Sequence, residues 1–327
     1  MEKSAVRRIG VFTSGGDAPG MNAAVRAVVR TCMHSGIECV GIRRGYHGLI
    51  HGDVIPLNFD SVNGLLRRGG TMLYSARSEE FVELKGQEKA RDVCKMLGID
   101  ALIGIGGDGT FRGLQAMAKQ GIPVIGIPGT IDNDIACTTY TIGFDTACAT
   151  AVDLIDKLSD TMQSHERCSV VEVMGRHAGH LALSVGVACG AVSILIPEHQ
   201  IDFEEDVIEP IRRARLNGRT HFMVIVAEGA GSAMDVAAKI TEATTLETRV
   251  SVLGHIQRGG IPSIRDRITA TNMGYEAVHL LVNGESNRII ALQGEDYVNY
   301  DIEEALSMEK GLNEQTYEVM RELTGVE

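Results

Sequence analysis

The chain has 327 residues, 44% of them apolar, a mean hydropathy of +0.03 and a formal net charge of −12. The charge argues against a nucleic-acid-binding surface but not against a small anionic ligand, because a pocket can be locally basic on an acidic protein. No apolar run reaches the roughly 18 residues of a membrane span, and the seven cysteines form no C-x-x-C pair, so we expect a cytoplasmic protein of about two domains without a disulfide frame or zinc site.

Short apolar runs alternate with helix-length segments along the chain. The runs are rich in Val, Ile and Leu, as in parallel strands that are buried on both faces. Strands are predicted over 9–13, 39–42, 101–105, 124–127, 169–174, 193–196, 222–227 and 250–253. A helix is predicted over 144–162, with one apolar face formed by Ala147, Ala151, Leu154, Ile155, Leu158 and Met162. This alternation predicts α/β layers with crossover helices.

The first predicted strand leads into a glycine-rich loop, TSGGDAPGMN over 13–22. Gly15 and Gly16 allow a ligand to approach the backbone closely, and the helix that follows offers free N–H groups to an anion. Taken alone, the loop is as well explained by a structural corner.

A second glycine-rich loop occurs in LIGIGGDGTFRG, over 102–113. Gly107 and Gly109 flank Asp108, and Thr110 begins the next helix. A phosphate beside Asp108 would be repelled unless a cation lay between them, so the loop predicts a nucleotide whose Mg²⁺ is held by Asp108, directly or through water. The alternative is that Asp108 only caps the helix. The loop is not a P-loop, since no G-K-[ST] follows.

The next strand is followed by IPGTIDNDIACT, over 127–138. Asp132 and Asp134 lie two residues apart, a spacing that suits metal coordination or a base placed at a hydroxyl group. An Asx-rich turn is the structural alternative.

Arginines follow the later strands. Arg176 lies in EVMGRHAGH, His255 and Arg258 lie in SVLGHIQRGG, and Arg167 and Arg249 are near strand ends. Arginines beside glycines suit a phosphate dianion, although each one alone could be a surface ion pair. Two phosphate sites and a carboxylate together predict phosphoryl transfer to a hydroxyl of an already phosphorylated acceptor.

Five strings together resemble the motif set of the bacterial-type ATP-dependent 6-phosphofructokinases over almost the whole chain: TSGGDAPGMNA, IGGDGT, PGTIDND, VVEVMGRHAGH and VLGHIQRGG. The resemblance implies two lobes, each a mainly parallel sheet flanked by helices, with the active site between them. The ATP-binding lobe would comprise 1–143 with 257–307, and the fructose 6-phosphate-binding lobe 144–256 with 308–327. It also implies a homotetramer and a glycolytic reaction in which the γ-phosphoryl of ATP moves to the 1-hydroxyl of fructose 6-phosphate, giving fructose 1,6-bisphosphate.

The resemblance also implies a role for each matching residue. Asp132 would be the general base and Asp108 would hold Mg²⁺ through water. Arg176 and Thr130 would stabilise the transferring phosphoryl group, while Asp134 orders the loop. The nucleotide-contacting positions would be Gly16, Tyr46, Arg77, Ser78, Gly107, Asp108, Gly109, Thr110 and Gly113. The sugar-phosphate positions would be Thr130, Ile131, Asp132, Met174, Gly175, Arg176, Glu228, His255 and Arg258, with Arg167 and Arg249 reaching a neighbouring subunit's site.

The phosphoryl donor and the effectors are the points on which relatives of this type differ. Pyrophosphate-dependent relatives typically carry Asp at the position of Gly109 and Lys at that of Gly129, so glycine at both positions favours ATP. Arg26, Arg30, Arg219 and His221 retain the basic character of an effector pocket for ADP or phosphoenolpyruvate. Neutral Phe59, Ser159 and Asn217 replace usual basic residues and Val192 replaces a usual glutamate, so we expect weakened effector control.

Two other interpretations fit the residues less well. A catalytically silent, sugar-phosphate-sensing subunit would be expected to lose Asp108, Asp132 or Arg176, and all three are present. The NAD and lipid kinases share the G-G-D-G-T string, but nothing in them accounts for PGTIDND or GHIQRGG. The sequence sets neither the kinetic constants nor the cooperativity of the enzyme.

Overall fold

The computed structural model describes residues 6–323. The strands in this range are β1 (Arg8–Thr13), β2 (Glu38–Ile42), β3 (Val54–Leu57), β4 (Ala101–Gly106), β5 (Val124–Pro128), β6 (Cys168–Val173), β7 (Ser193–Leu195), β8 (Phe222–Ala227), β9 (Thr248–Val252), β10 (Arg288–Gln293) and β11 (Asp296–Asp301). The helices are α1 (Met21–His34), α2 (Gly45–His51), α3 (Leu84–Met96), α4 (Asp108–Lys119), α5 (Phe144–His165), α6 (His180–Ala188), α7 (Glu209–Leu216), α8 (Ala233–Thr244), α9 (Ile264–Val282), α10 (Ile302–Ser307) and α11 (Glu314–Leu323).

The first of two compact units, unit 1, comprises Met1–Thr130, Asp134–Thr146 and Arg258–Lys310. Its seven-stranded sheet has the order β11-β10-β5-β4-β1-β2-β3. The inner strands pair in parallel, and only the pairs β2–β3 and β10–β11 are antiparallel. The residues of β4 and β5 are fully buried, as expected for strands that helices cover on both faces.

The second compact unit, unit 2, comprises Ile131–Asn133, Ala147–Gln257 and Gly311–Glu327. Its four-stranded sheet is entirely parallel and has the order β7-β8-β6-β9. A separate apolar core, which includes Val170, Val224 and Ile240, fills the space beneath this sheet. The α/β class with mainly parallel, helix-flanked sheets is therefore confirmed.

The eight predicted strands all form, and α5 has the predicted apolar face. Ala147, Ala151 and Ile155 on that face are completely buried. The chain passes from unit 1 to unit 2 within α5, between Thr146 and Ala147. Across residues 6–323, no helix has both the length and the apolar character needed to cross a membrane. All seven cysteines are free thiols.

Candidate active site

Three of the loops singled out in the sequence begin at one edge of the unit 1 sheet. They follow β1, β4 and β5, which are neighbours in the order β5-β4-β1. The register places Thr13 beside Ile105 and Gly106 beside Pro128, so the three strands end at nearly the same level. Because ligands of parallel α/β sheets bind beyond the carboxyl ends of the strands, this edge is the candidate site of unit 1.

The first loop is held against the second strand end and is open to solvent at its glycines. The backbone N–H of Ser14 donates to the carbonyl of Ile105 at 3.0 Å. Gly15 has a φ of +83°, which favours glycine, and its carbonyl accepts a hydrogen bond from Ser75 Oγ at 2.6 Å. A Cβ on Gly16 would lie only 2.4 Å from Nη1 of Arg258, so the guanidinium of Arg258 packs directly on this loop.

The glycines of the second loop divide into two kinds. A Cβ on Gly106 would lie 2.2 Å from Thr110 Oγ1 and 2.4 Å from the carbonyl oxygen of Ser14, so packing within the protein requires glycine there. At Gly109, by contrast, nothing lies within 4 Å of such a Cβ, and at Gly107 the nearest atom is 3.9 Å away. Neither residue has a positive φ. Neither strain nor packing within this chain explains Gly107 and Gly109, whereas close approach of a ligand to the backbone does.

Thr110 presents an unused polar atom to the same region. Its side chain is 1% exposed. Among the residues described, its Oγ1 has no hydrogen-bond partner. Since a buried hydroxyl without a partner is costly, this atom at the start of α4 fits a bound oxygen-rich group.

Asp108 lies in the first turn of α4 and is exposed. Although the residue as a whole is exposed, the surrounding protein partly desolvates its carboxyl group. This desolvation and the nearby charge of Asp134 raise the pKa of Asp108, while the charge of Arg112 lowers it. Two carboxylates that disfavour each other's charge attract a cation. Within residues 6–323 no three His, Cys, Asp or Glu side chains are grouped to hold a metal. Mg²⁺ is usually bound through one or two carboxylates with water or phosphate oxygens as its other ligands, so the carboxylates of Asp108 and Asp134 fit such an ion.

The third loop begins with Thr130 and carries Asp132. Thr130, Ile131 and Asp132 are buried, and Asp132 is 5% exposed. The carbonyl of Thr130 accepts a hydrogen bond from Thr141 Oγ1 at 2.6 Å. Asn133 adopts a φ of +51°, a left-handed conformation that asparagine tolerates better than most residues. The carboxylate thus sits on a sharply turned and tightly held loop.

Tyr46 and Gly113, two predicted nucleotide contacts, pack against each other. A Cβ on Gly113 would lie 2.4 Å from the Tyr46 ring, which stacks on Phe81 at 4.1 Å. The Tyr46 hydroxyl donates to the carbonyl of Thr110 at 2.5 Å. Packing alone therefore accounts for glycine at 113. Of the other two predicted contacts in this region, Arg77 is exposed and Ser78 is intermediate in exposure.

In unit 2, the loop after β6 holds Arg176 in an unusual backbone conformation. Arg176 has a φ of 59°, and its N–H donates to Oε1 of Glu228 at 2.7 Å. A Cβ on Gly175 would lie 2.4 Å from the carbonyl oxygen of Ala178, and one on Gly229 would lie 2.3 Å from that of Arg176. The neighbouring glycines and Glu228 thus hold a strained residue, and the Arg176 side chain is exposed. Strain of this kind is concentrated at functional sites.

Arg167 and Arg249 share a carboxylate that the sequence analysis missed. Glu247 forms an ion pair with Arg167 Nε at 2.9 Å and a second ion pair with Arg249. The Arg167 guanidinium holds the pKa of Glu247 below its usual range. Cys168 on β6 pairs with Thr248 on β9, and this pairing brings the preceding residues, Arg167 and Glu247, together. No spacing in the sequence indicates this triad.

The remaining predicted residues are dispersed over the two units. In unit 2, Met174 is buried with its N–H donating to Gln257 Oε1 at 3.4 Å, and His255 is exposed. In unit 1, the guanidinium of Arg30 lies 4.2 Å from the ring centre of Phe59. Arg26 lies one turn earlier on α1, and burial together with the charge of Arg30 lowers its pKa. Arg219 is exposed and His221 is intermediate in exposure.

Another missed residue is Lys310, at the end of unit 1. Its Nζ donates to the carbonyl of Thr138 at 2.9 Å. Burial lowers the pKa of Lys310 to about 8, although the charge of Asp134 opposes this shift. A lysine in an irregular segment gives no sequence signal of such a position.

Comparison with known proteins agrees with these features. Residues 8–281 match the family described as phosphofructokinase. The chain is 50% identical over 314 residues to the ATP-dependent 6-phosphofructokinase of Clostridium botulinum (strain Loch Maree / Type A3), covering 96% of this chain and 98% of that protein. It is 50% identical over 319 residues to the enzyme of the same name from Clostridium tetani (strain Massachusetts / E88), covering 98% and 100%.

A solved structure of phosphofructokinase from Saccharomyces cerevisiae matches with a TM-score of 0.86 and 34% identity over 97% of this chain. The present chain spans 46% of the length of that yeast chain. The extent of the family match and the identity to full-length relatives lead to one conclusion: the chain belongs to the phosphofructokinase family.

Proposed function

We propose that the chain transfers the γ-phosphoryl group of ATP to the 1-hydroxyl of fructose 6-phosphate, forming fructose 1,6-bisphosphate and ADP. The observation that carries the proposal is the bare backbone at Gly107 and Gly109, which neither packing nor a positive φ requires. The relatives named above, which are 50% identical over nearly their whole length, are ATP-dependent 6-phosphofructokinases. The exposed glycine backbone and the similarity to these relatives both support the proposed activity.

In this proposal the loops of unit 1 bind the nucleotide. The backbone at Gly107 and Gly109 and the hydroxyl of Thr110 receive phosphate oxygens, and the N-terminus of α4 favours their negative charge. Asp108, with the charge of Asp134 nearby, would hold Mg²⁺ through water. When bound, Mg²⁺ neutralises charge on the transferring phosphoryl group.

The chemical step rests on residues of the third loop and of unit 2. Asp132 accepts the proton of the sugar 1-hydroxyl as that oxygen attacks the γ-phosphorus. Arg176 and Thr130 stabilise charge on the transferring group, and Asp134 orders the loop. Glu228, which fixes the backbone of Arg176, would also accept a hydrogen bond from the sugar.

The sugar phosphate would be bound by the arginines and His255, with Arg167 and Arg249 supplied by a neighbouring copy in a homotetramer. Guanidinium groups suit a phosphate dianion because they donate two parallel hydrogen bonds. Their pairing with Glu247 leaves each arginine with further donors for such a ligand. We place the enzyme in the cytoplasm, where its substrates are found. We also expect weakened control by ADP and phosphoenolpyruvate, because the usual effector contacts are replaced by Phe59, Ser159, Asn217 and Val192.

A coupled assay of fructose 1,6-bisphosphate formation tests the proposal. The purified protein should be active with Mg-ATP and inactive with pyrophosphate. ADP or phosphoenolpyruvate should change the rate by only a small factor. Activity with pyrophosphate alone would show that the donor is wrong, and no product with either donor would show that the reaction is wrong.

A further inference from the structure

One buried carboxylate has no place in the roles described so far. Asp266, in the first turn of α9, is completely buried. Its Oδ1 accepts hydrogen bonds from the Tyr140 hydroxyl at 2.5 Å and from the N–H of Gly143 at 2.6 Å. Its Oδ2 accepts from the N–H of Thr146 at 3.0 Å and also from the Thr146 hydroxyl. An ionised carboxylate only accepts hydrogen bonds, and these donors match that property.

The donors belong to the segment that ends the Asp132 loop. Ile142 donates from its N–H to the carbonyl of Pro128 at 3.0 Å and forms a parallel bridge with Gly129. The Thr141 hydroxyl donates to the carbonyl of Thr130 at 2.6 Å. The beginning and the end of the Asp132 loop therefore lie side by side at the contact between Gly129 and Ile142. Asp266 holds the end of the loop through Tyr140 and Gly143, which lie on either side of Ile142.

The same segment also supports the first glycine loop. A Cβ on Gly20 would lie 2.6 Å from Ile142 Cγ2, and a Cβ on Gly143 would lie 2.6 Å from Ala18 Cβ. The loop after β1 and the segment that Asp266 holds are therefore packed so closely that no space remains for a methyl group between them. A shift of this segment would be transmitted to both loops, because close-packed groups cannot absorb it.

We propose that Asp266 is a positioning residue that sets the base of the loop carrying Thr130 and Asp132. This inference rests on the proposed function, in which Asp132 is the general base. The charge of Asp266 is costly to bury unless every donor faces it, so the segment is held in one arrangement. Loss of that arrangement misplaces the base, and a misplacement of about 1 Å can lower the rate by about 10²-fold.

The test is the variant Asp266→Asn. An asparagine amide accepts at only one of these two oxygen positions, so its NH2 group would face either the Thr146 N–H or the Gly143 N–H. We expect kcat to fall by about 10- to 100-fold, with a smaller rise in KM because the loop after β1 shifts as well. Hydrogen exchange of the amides over 129–143 should become faster in this variant. The matched control is Asp301→Asn, because Asp301 lies in the same unit and caps α10 by accepting from the Glu303 N–H at 2.8 Å.

Several results would overturn the inference. A folded Asp266→Asn protein with the kcat of the Asp301→Asn control would do so. So would a loss of kcat with unchanged exchange over 129–143. If Asp266→Asn does not fold, Tyr140→Phe, which removes a single donor, decides instead: a fall in kcat of about threefold or more with faster exchange supports the role, and an unchanged kcat rejects it. A wild-type protein without activity on ATP and fructose 6-phosphate would instead reject the proposed function, while the exchange measurement would still report on the Asp266 contacts.

Discussion

The guanidinium of Arg258 lies directly on the backbone of Gly16, so close that a Cβ on Gly16 would come within 2.4 Å of Nη1. The same nitrogen donates to the carbonyl of Asp17 at 3.1 Å. A residue of the sequence's last basic motif therefore packs on its first glycine loop. Glycine at position 16 is explained by this contact, since its φ is not positive.

The variant Gly16→Ala should displace Arg258 without disturbing the fold. The atoms that must move are at the end of a flexible side chain, so we expect an unchanged melting temperature. Loss of one charge-assisted hydrogen bond from a proposed phosphate ligand should raise KM for fructose 6-phosphate by about tenfold or more. Steady-state kinetics against Gly311→Ala, where nothing lies within 4 Å of the added methyl group, provides the comparison. An unchanged KM would show that Arg258 does not bind the sugar phosphate.

Replacing the base should leave the fold intact and remove most of the activity. In Asp132→Asn the amide is similar in shape to the carboxylate but cannot take a proton. A general base contributes about 10²–10⁴-fold, so kcat should fall by that factor while KM changes little. An end-point assay of fructose 1,6-bisphosphate measures the loss of activity, and circular dichroism shows whether the fold is intact. Near-normal turnover would place the base elsewhere.

How much of this could be read from the sequence differs between the fold and the site. Eight strands were predictable because their apolar runs are continuous, but β10 was missed although residues 289–292 are buried and apolar. The family predicted from the five motifs is confirmed. β3 was missed because Pro56 interrupts it, as edge strands tolerate, and β11 was missed because its sequence DYVNYD is largely polar. β10 pairs in parallel with β5, more than 150 residues earlier in the chain, which no local pattern reveals.

Within the site, residue types were predictable but their partners were not. The glycines and Asp108 stand out because they interrupt an apolar run at a strand end. Glu247 and Asp266 do not stand out, since each is an ordinary acidic residue until β6 pairs with β9 or α9 meets Tyr140. Such pairings are a property of tertiary structure, so single-sequence reasoning could not assign them.

Arg176→Ala should act on catalysis more than on binding. The structure holds Arg176 at a φ of 59° with its N–H on Glu228, so the backbone is fixed independently of the side chain. Arginine stabilisation of a transferring phosphoryl group is worth about 10³–10⁵-fold in other enzymes, and we expect kcat to fall by at least about 10²-fold. Arg176→Lys is the matched variant, and it should restore only part of the rate because it keeps the charge without the planar donors. An increase in KM alone would limit Arg176 to binding.

The variant Gly109→Asp tests whether the space beside Gly109 binds the nucleotide, because it should alter the kinetics with ATP without destabilising the fold. A Cβ at this position meets no atom within 4 Å, and the substitution places a negative charge in the first turn of α4. That charge interacts favourably with the helix dipole, by about 0.3–1 kcal/mol, but is repelled by the adjacent Asp108, so the melting temperature should change only slightly. The same side chain would intrude on the proposed nucleotide, so kcat/KM for ATP should fall by at least about tenfold. Unaltered ATP kinetics would mean that the space beside Gly109 is not used by the nucleotide.

A shared active site should show itself by complementation between two defective variants. Asp132→Asn lacks the proposed base but keeps Arg167 and Arg249, whereas the double variant Arg167→Ala/Arg249→Ala keeps the base but lacks the arginines proposed to serve a neighbouring subunit. Each parent protein alone, assembled as the proposed homotetramer, should have little activity at low fructose 6-phosphate. After the two proteins are dissociated together and reassembled, some sites would combine an intact base from one chain with intact arginines from the other, so activity should rise well above the sum of the parents. Reassembling each parent alone controls for recovery during refolding. Mixtures that never exceed the parents, despite verified hybrid tetramers, would mean that Arg167 and Arg249 serve only their own chain.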